Sequence, residues 1–335
     1  MLRRLRSFEK RQFLKPMQIS EILDVSLQIY RRTSWKLLSK TFIPSLWLSL
    51  GFGFFDTFIS PMIFKTRFTE NQSAQVIETT IGVLVFLAAV VPLGFVGFAV
   101  ATQPCVKVAS ALLMGEDVPP DDGLIDPKLS PKLAWSMVKA LFQCSWILLI
   151  TIAGMLTIGL LSPLGESVEA INMVITLFVI GGFMASLIVV PAIGSAVAMV
   201  PTITIIEGKD GKLAFERSKF LSKKHGRTDH IFSNFLATWF VVGFFFLLIA
   251  LGFELALSMV GVERFIDSYF GIGLVAELSK SVVGVLPLQL AVWVLIPFYS
   301  IISTVIYYDR RVRIEALDIR VLAEDVLNVE KTPLR

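Results

Sequence analysis

The chain has 335 residues, of which 55% are apolar and only 17% charged, with 27 phenylalanines and a formal net charge of +4. Soluble domains carry about 25% charged residues. Here the apolar excess gathers in long blocks, so lipid is part of the chain's solvent. No Walker loop, GxSxG elbow or HExxH stretch is present, and nothing in the charge pattern points to nucleic acid.

Residues 1–32 are basic and lack the short apolar core and small-residue cleavage site of a signal peptide. The first span is therefore expected to insert by itself and stay. Just before it, Ile19, Ile22, Leu23, Leu27 and Tyr30 fall on one helical face. Ser20 is the expected N-cap, with Glu21 and Asp24 in the first turn and Arg31 and Arg32 in the last, as the macrodipole favours.

Six apolar regions follow, at about 37–59, 80–106, 140–161, 171–206, 235–260 and 281–306, each long enough for the roughly 20 residues that a crossing needs. The second and fourth exceed one straight crossing and hold Pro92 and Pro104, and Pro191 and Pro201. A proline removes a backbone donor, which predicts either a kinked helix or a short re-entrant piece.

Lys and Arg set the orientation, because positive loops stay cytoplasmic. Residues 1–40 hold ten, 107–139 four, 207–231 seven and 307–335 six, so 27 of the 31 fall on one side of a six-span layout. Both termini are thus expected in the cytoplasm. The organisation is one membrane domain over 1–335: an entry segment to 36, a six-span region over 37–306 and a tail over 307–335. Tyr30, Trp35, Trp135, Tyr307 and Tyr308 collect at the cytoplasmic boundary, where amphipathic rings favour the headgroup layer. Cys105 and Cys144 sit near that reducing side, so a disulfide is not expected.

An internal repeat is also expected. The run Leu133-Ala134-Trp135 to Leu141 matches Leu213-Ala214-Phe215 to Leu221 at an offset of 80, and Ser34-Trp35 to Leu38 matches Ser145-Trp146 to Leu149 at 111. Ser130-Pro131 opens the second copy in cap-then-proline fashion. The fold class is therefore an all-α integral membrane protein, three repeats of an interfacial amphipathic helix plus a transmembrane hairpin. Basic faces of such helices attract anionic lipid. Arg217, Lys219, Lys223, Lys224 and Arg227 form the densest cluster, either for lipid headgroups or an acidic partner, or simply to set topology.

Ionisable residues inside spans mark function by default. Asp56, Glu254 and Lys107 qualify, and Asp56 with Glu254 would form an outward-facing polar site or else reach the outer headgroup layer. His225 and His230, five residues apart beside Asp229, make no metal set. Asn71-Gln72-Ser73 is a glycosylation sequon with meaning only in a eukaryotic secretory host. No catalytic, cofactor or metal residues emerge.

Three passages carry a resemblance. They are Ile22-Leu23-Asp24-Val25-Ser26-Leu27-Gln28-Ile29-Tyr30-Arg31-Arg32; Glu207-Gly208 followed by Leu213-Ala214-Phe215-Glu216-Arg217-Ser218-Lys219-Phe220-Leu221; and Tyr307-Tyr308-Asp309-Arg310-Arg311-Val312-Arg313-Ile314-Glu315-Ala316-Leu317-Asp318. They resemble the motifs of the prokaryotic membrane-domain family named after glycerophosphoryl diester phosphodiesterase, over nearly the whole chain. Arg310, Ile314 and Ala316 stand where that family often shows Leu, Lys and Gly. The family name comes from fusions to a phosphodiesterase barrel, for which this chain has no room, so the resemblance implies a prokaryotic inner-membrane protein without the catalytic half. In the third passage, Tyr307, Tyr308, Asp309, Arg311 and Arg313 are the signature residues. The tyrosines would anchor the last span at the boundary. Asp309 would pair with its neighbouring arginines or with Arg31 or Arg217 of another repeat. The expected function is non-catalytic binding of lipid, or of a partner protein in a membrane complex, through the cytoplasmic helices. The alternative is a transporter or channel whose polar pathway runs between proline-kinked helices.

Overall fold

The computed structural model describes residues 15–54, 91–144, 197–223, 231–270 and 274–317, with 319. Among these, regular structure is entirely helical: α1 (Ile19–Phe54), α2 (Val91–Leu113), a 3-10 turn (Asp121–Gly123), α3 (Leu129–Cys144), α4 (Val200–Glu207), α5 (Gly211–Ser222), α6 (Ile231–Val260), α7 (Val262–Phe270) and α8 (Leu274–Glu315). Three stretches are long and apolar enough to cross a membrane: Gly94–Leu113 in α2, Phe240–Val260 in α6 and Val283–Glu315 in α8. They fall on the second, fifth and sixth expected spans. The first is described in α1 as far as Phe54, and all but the start of the third and most of the fourth lie outside the described residues.

The core of the described bundle is α1 against α8, with α2 packed on both. The first two run antiparallel and are joined at four levels. The Asp309 carboxylate accepts the Met17 N–H at 2.8 Å. The Tyr30 hydroxyl donates to the Val294 carbonyl at 3.2 Å. The Trp293 indole donates to the Leu38 carbonyl at 2.7 Å, and the Gln289 amide donates to Ser45 Oγ at 2.9 Å. Between apolar helices in lipid, such hydrogen bonds fix pairing and register where hydrophobic burial cannot. Around them close Ile22, Leu37, Cys105, Leu113, Ile203 and Ile302, all fully buried.

The prolines behave in two ways. α1 runs through Pro44, α2 through Pro104, and α8 through Pro287 and Pro297. Pro201, by contrast, opens a helix rather than kinking one: a turn at Ala198–Met199 precedes α4, and Pro201 sits in its first turn. A first-turn N–H has no intrahelical acceptor, so proline costs nothing there.

The start of α1 differs from the expected cap. The helix begins at Ile19, so Ser20 is already inside it. Gln18 is the capping residue, and its N–H is accepted at 2.9 Å by Glu21, which reaches back from the third helical position as in half a capping box. At the other end of the described chain, Ala316 is the one non-glycine among the described residues with positive φ, at 49°.

Three amphipathic segments share a burial pattern. In α1 Ile22, Val25, Ser26 and Ile29 are buried; in α3 Leu133, Ser136, Met137 and Ala140; in α5 Ala214, Ser218 and Leu221. The offset of 111 expected between the first and second copies recurs in these positions, although residues 145–149, on which that expectation rests, lie outside the described residues. The expected offset of 80 between the second and third is not, because it sets fully buried Leu133 against exposed Leu213 and exposed Trp135 against buried Phe215. An offset of 81 aligns buried with buried: Leu133 with Ala214, Ala134 with Phe215, Met137 with Ser218 and Ala140 with Leu221. The Leu-Ala-aromatic strings look alike, but helical spacing decides which face is covered.

Candidate functional site

The passages at Glu207, Arg217 and Tyr307 meet at one end of the bundle. Glu207 ends α4, and Gly208 follows with φ 66°, the left-handed turn that lets the chain leave the helix and start α5. Gly211 also has positive φ, and its N–H donates to buried Ser136 Oγ at 2.7 Å, so α5 is seated on α3 from its first residue. On α8 the residues Tyr307, Arg311 and Glu315 are four apart and therefore share a face.

These side chains close a ring. The Tyr307 hydroxyl donates to Glu207 Oε1 at 2.9 Å and accepts from Arg311 Nη1 at 3.2 Å. Arg311 Nε donates to Glu315 Oε2 at 2.9 Å, and the other Glu315 oxygen pairs with Arg217. Arg217 Nε returns to both Glu207 oxygens, at 3.0 and 3.1 Å. Lys209 adds a further ion pair to Glu207 at 2.8 Å. Burial alone would raise the Glu207 pKa. Its hydrogen bonds from Lys209, Tyr307 and Arg217 outweigh that and hold it below the ordinary carboxylate value.

Two neighbouring contacts complete the end of α8. Arg310, almost fully buried, donates to the carbonyls of Leu221 and Lys223 at 2.9 and 3.0 Å. It thus places a cation on the negative end of the α5 dipole. Asp309 and Arg313 together grip one residue by its backbone: Asp309 accepts the Met17 N–H, and Arg313 donates to the Met17 carbonyl at 2.6 Å. The two side chains are themselves paired at 2.9 Å.

Several expected placements are corrected by this geometry. Tyr307 and Tyr308 are buried rather than anchored in a headgroup layer. One joins the ring, and the other shares a hydrogen bond of 2.7 Å with Ser110. Tyr30 likewise is turned inward to α8, whereas Trp35 and Trp135 are exposed. Arg217 is a structural tie between α4, α5 and α8, not a surface cation available to lipid. Of the two pairings expected for Asp309, the structure shows the one with a neighbouring arginine, Arg313, four residues away on its own helix; Arg217 instead pairs across helices with Glu315 and Glu207. Glu254 is exposed on α6, and Lys107 donates to the Gly123 carbonyl at 2.7 Å. Lys219 and Lys223 are exposed; Asp56, Lys224, Arg227, His225, His230, Asn71 and the Cys144 side chain lie outside the described residues.

With its core face held, α5 turns Lys212, Leu213, Lys219 and Phe220 outward, and α3 turns out Lys132, Trp135 and Lys139. The Lys139 ammonium lies 5.2 Å from the Trp135 ring centroid, a cation–π pair. Trp135 was expected at the cytoplasmic boundary, but Lys132 and Lys139 beside it were passed over in favour of the denser cluster at 217–227. The signal was there in Lys132, Trp135 and Lys139 at helical spacings of three and four.

Compared with known protein families, curated proteins and solved structures, the chain matches none.

Proposed function

We propose that this chain is a non-catalytic membrane component that binds anionic lipid headgroups through the outward faces of its interfacial helices. The carrying observation is that α3 and α5 expose large apolar side chains and lysines side by side. Trp135 and Leu213 are 58% and 60% exposed next to Lys132, Lys139, Lys212 and Lys219. Rings and leucines enter the acyl boundary while ammonium groups meet phosphate, at about 1 kcal/mol per cation near an anionic surface.

In this reading α1, α3 and α5 are the entry helices of three repeats, each leading into a hairpin of a six-span protein with both ends in the cytoplasm of a prokaryote. The Lys and Arg distribution supports the orientation, and the common burial pattern of the three helices supports the repeat. Membership of the membrane-domain family is part of the same proposal. Its support is that two of the passages that carry the resemblance converge on the Glu207–Arg217–Tyr307 ring. Ala316, where that family often shows glycine, has a φ of 49°, which glycine adopts without strain.

The test is lipid retention by the purified chain, measured by native mass spectrometry from micelles containing phosphatidylglycerol and phosphatidylcholine. The combined variant K132Q/K139Q/K212Q/K219Q should lose most of the preference for phosphatidylglycerol. An unchanged preference sinks the proposal. Loss of a co-purifying protein with lipid retention intact transfers these faces to a protein partner. The transport reading gains no specific support: Glu254, one of its two carboxylates, is exposed on α6.

A further inference from the structure

The opposite end of the bundle carries a second amphipathic surface that the proposal above does not use. α6 leaves its candidate span with Met259 and Val260 78% and 79% exposed, and Gly261, with φ 72°, turns the chain straight into α7. The turn is closed by two backbone bonds, Gly261 N–H to the Ser258 carbonyl and Phe265 N–H to the Gly261 carbonyl, both 3.0 Å. α7 therefore begins at the depth where the span ends.

Its apolar arc is only half covered. Ile266 is buried, and α7 packs on α8 and α6. On the flank of the same arc, Phe265 and Tyr269 are 64% and 73% exposed, with rings stacked at 6.0 Å and 15°. A spacing of four residues sets both rings on one side. Arg264 and Ser268, both exposed, lie on the other arc of the helix. The surface is continuous with that of α6, where Phe244, Leu248, Leu251 and Leu255 are exposed.

We infer that α7 is a second interfacial helix, lying in the leaflet opposite the basic helices, with Phe265 and Tyr269 embedded among lipid at the acyl–headgroup boundary. Three observations select lipid as the occupant. The rings adjoin an exposed apolar span, the helix starts one residue beyond that span, and the exposed pair ends in a phenol, which favours a layer that is apolar on one side and wet on the other. The helix is too short to cross the bilayer and is braced sideways by Ile266, so it lies along the surface.

The experiment uses the full chain in phosphatidylcholine vesicles. Tyr269→Cys and, separately, Arg264→Cys are made in a Cys144→Ser background and labelled with a polarity-sensitive NBD fluorophore; Cys105 is fully buried and stays unlabelled. At 269 the emission should be blue-shifted, quenched by nitroxides carried on lipid, and several-fold less sensitive to aqueous iodide than at 264. Equal iodide access at both positions overturns the inference. So does a blue-shifted label at 269 that ignores lipid nitroxides, since protein then covers the rings. If the labelled variants do not fold, a diazirine-bearing phospholipid applied to the unsubstituted chain gives the answer. Adducts on the peptide holding Phe265 and Tyr269 support lipid, and adducts on α6 with none on that peptide refute it.

Discussion

Replacing Arg217 by methionine keeps most of the side chain's length and removes the cation that joins α5 to both α4 and α8. Glu207, Arg217 and Glu315 are 11%, 17% and 14% exposed, so the pairs are neither fully buried nor on the surface. Stripping one partner from a fully buried pair costs about 3–5 kcal/mol, and an exposed pair is worth about 0–1 kcal/mol. Glu207 keeps Lys209 and Tyr307, and Glu315 keeps Arg311. The expected loss therefore lies between those limits, at about 2–3 kcal/mol. At about 2.1 cal/mol/K of unfolding entropy per residue, that corresponds for this chain to a midpoint lowered by roughly 3–4 °C. Cys105 provides the assay: its thiol is buried in the α1–α2–α8 core, so in a Cys144→Ser background a thiol-reactive coumarin reports unfolding in detergent. Neutralising the stranded carboxylates with Glu207→Gln and Glu315→Gln should return part of the lost midpoint. An unchanged midpoint in Arg217→Met, or a triple variant no better than the single, would refute this account of the ring.

Three further outcomes follow from the same contacts. Ala316→Gly should stabilise the protein by about 0.5–1 kcal/mol, because it relieves a left-handed residue; a lower melting midpoint contradicts that. Arg313→Ala should loosen the grip on Met17 and speed hydrogen exchange at the Met17 amide, with a wild-type exchange rate counting against the clasp. For pH the sign is set by Glu207, whose folded pKa is lowered. Its contribution is complete above the unfolded value of about 4.5 and is lost as pH falls through the lower folded value. The melting midpoint should drop on acidification below about pH 5, less steeply in Glu207→Gln.

Much of the architecture was legible because it is local. Apolar length marked the candidate spans in α2, α6 and α8, but the face expected for α1 was rotated: of Ile19, Ile22, Leu23, Leu27 and Tyr30 only Ile22 is buried and Leu27 is exposed, whereas Val25, Ser26 and Ile29 are buried with Ile22. An offset of 111 recurs in the buried positions of α1 and α3, while residues 145–149, on which that expectation rests, lie outside the described residues. The offset of 80 failed by one residue because three similar letters outweighed the spacing of buried positions. The ring was only half legible. Tyr307, Arg311 and Glu315 announce a shared face by their spacing, but their partners lie about a hundred residues away on α4 and α5. Tyrosine and arginine near a span end read as boundary anchors and lipid contacts. Here the nearby carboxylates turn Tyr307, Arg217 and Arg311 inward, a choice that no local pattern encodes.

The four-level pairing of α1 with α8 also has a consequence in time. The Met17 backbone waits for Asp309, 292 residues further along the chain. At ribosomal speeds of about 5–20 residues per second, that interval is roughly 15–60 s. Throughout it the Leu38 carbonyl and the Ser45 hydroxyl lack Trp293 and Gln289, which are not yet made. α1 is thus a provisional element, without its main packing partner until α8 arrives and zips along it.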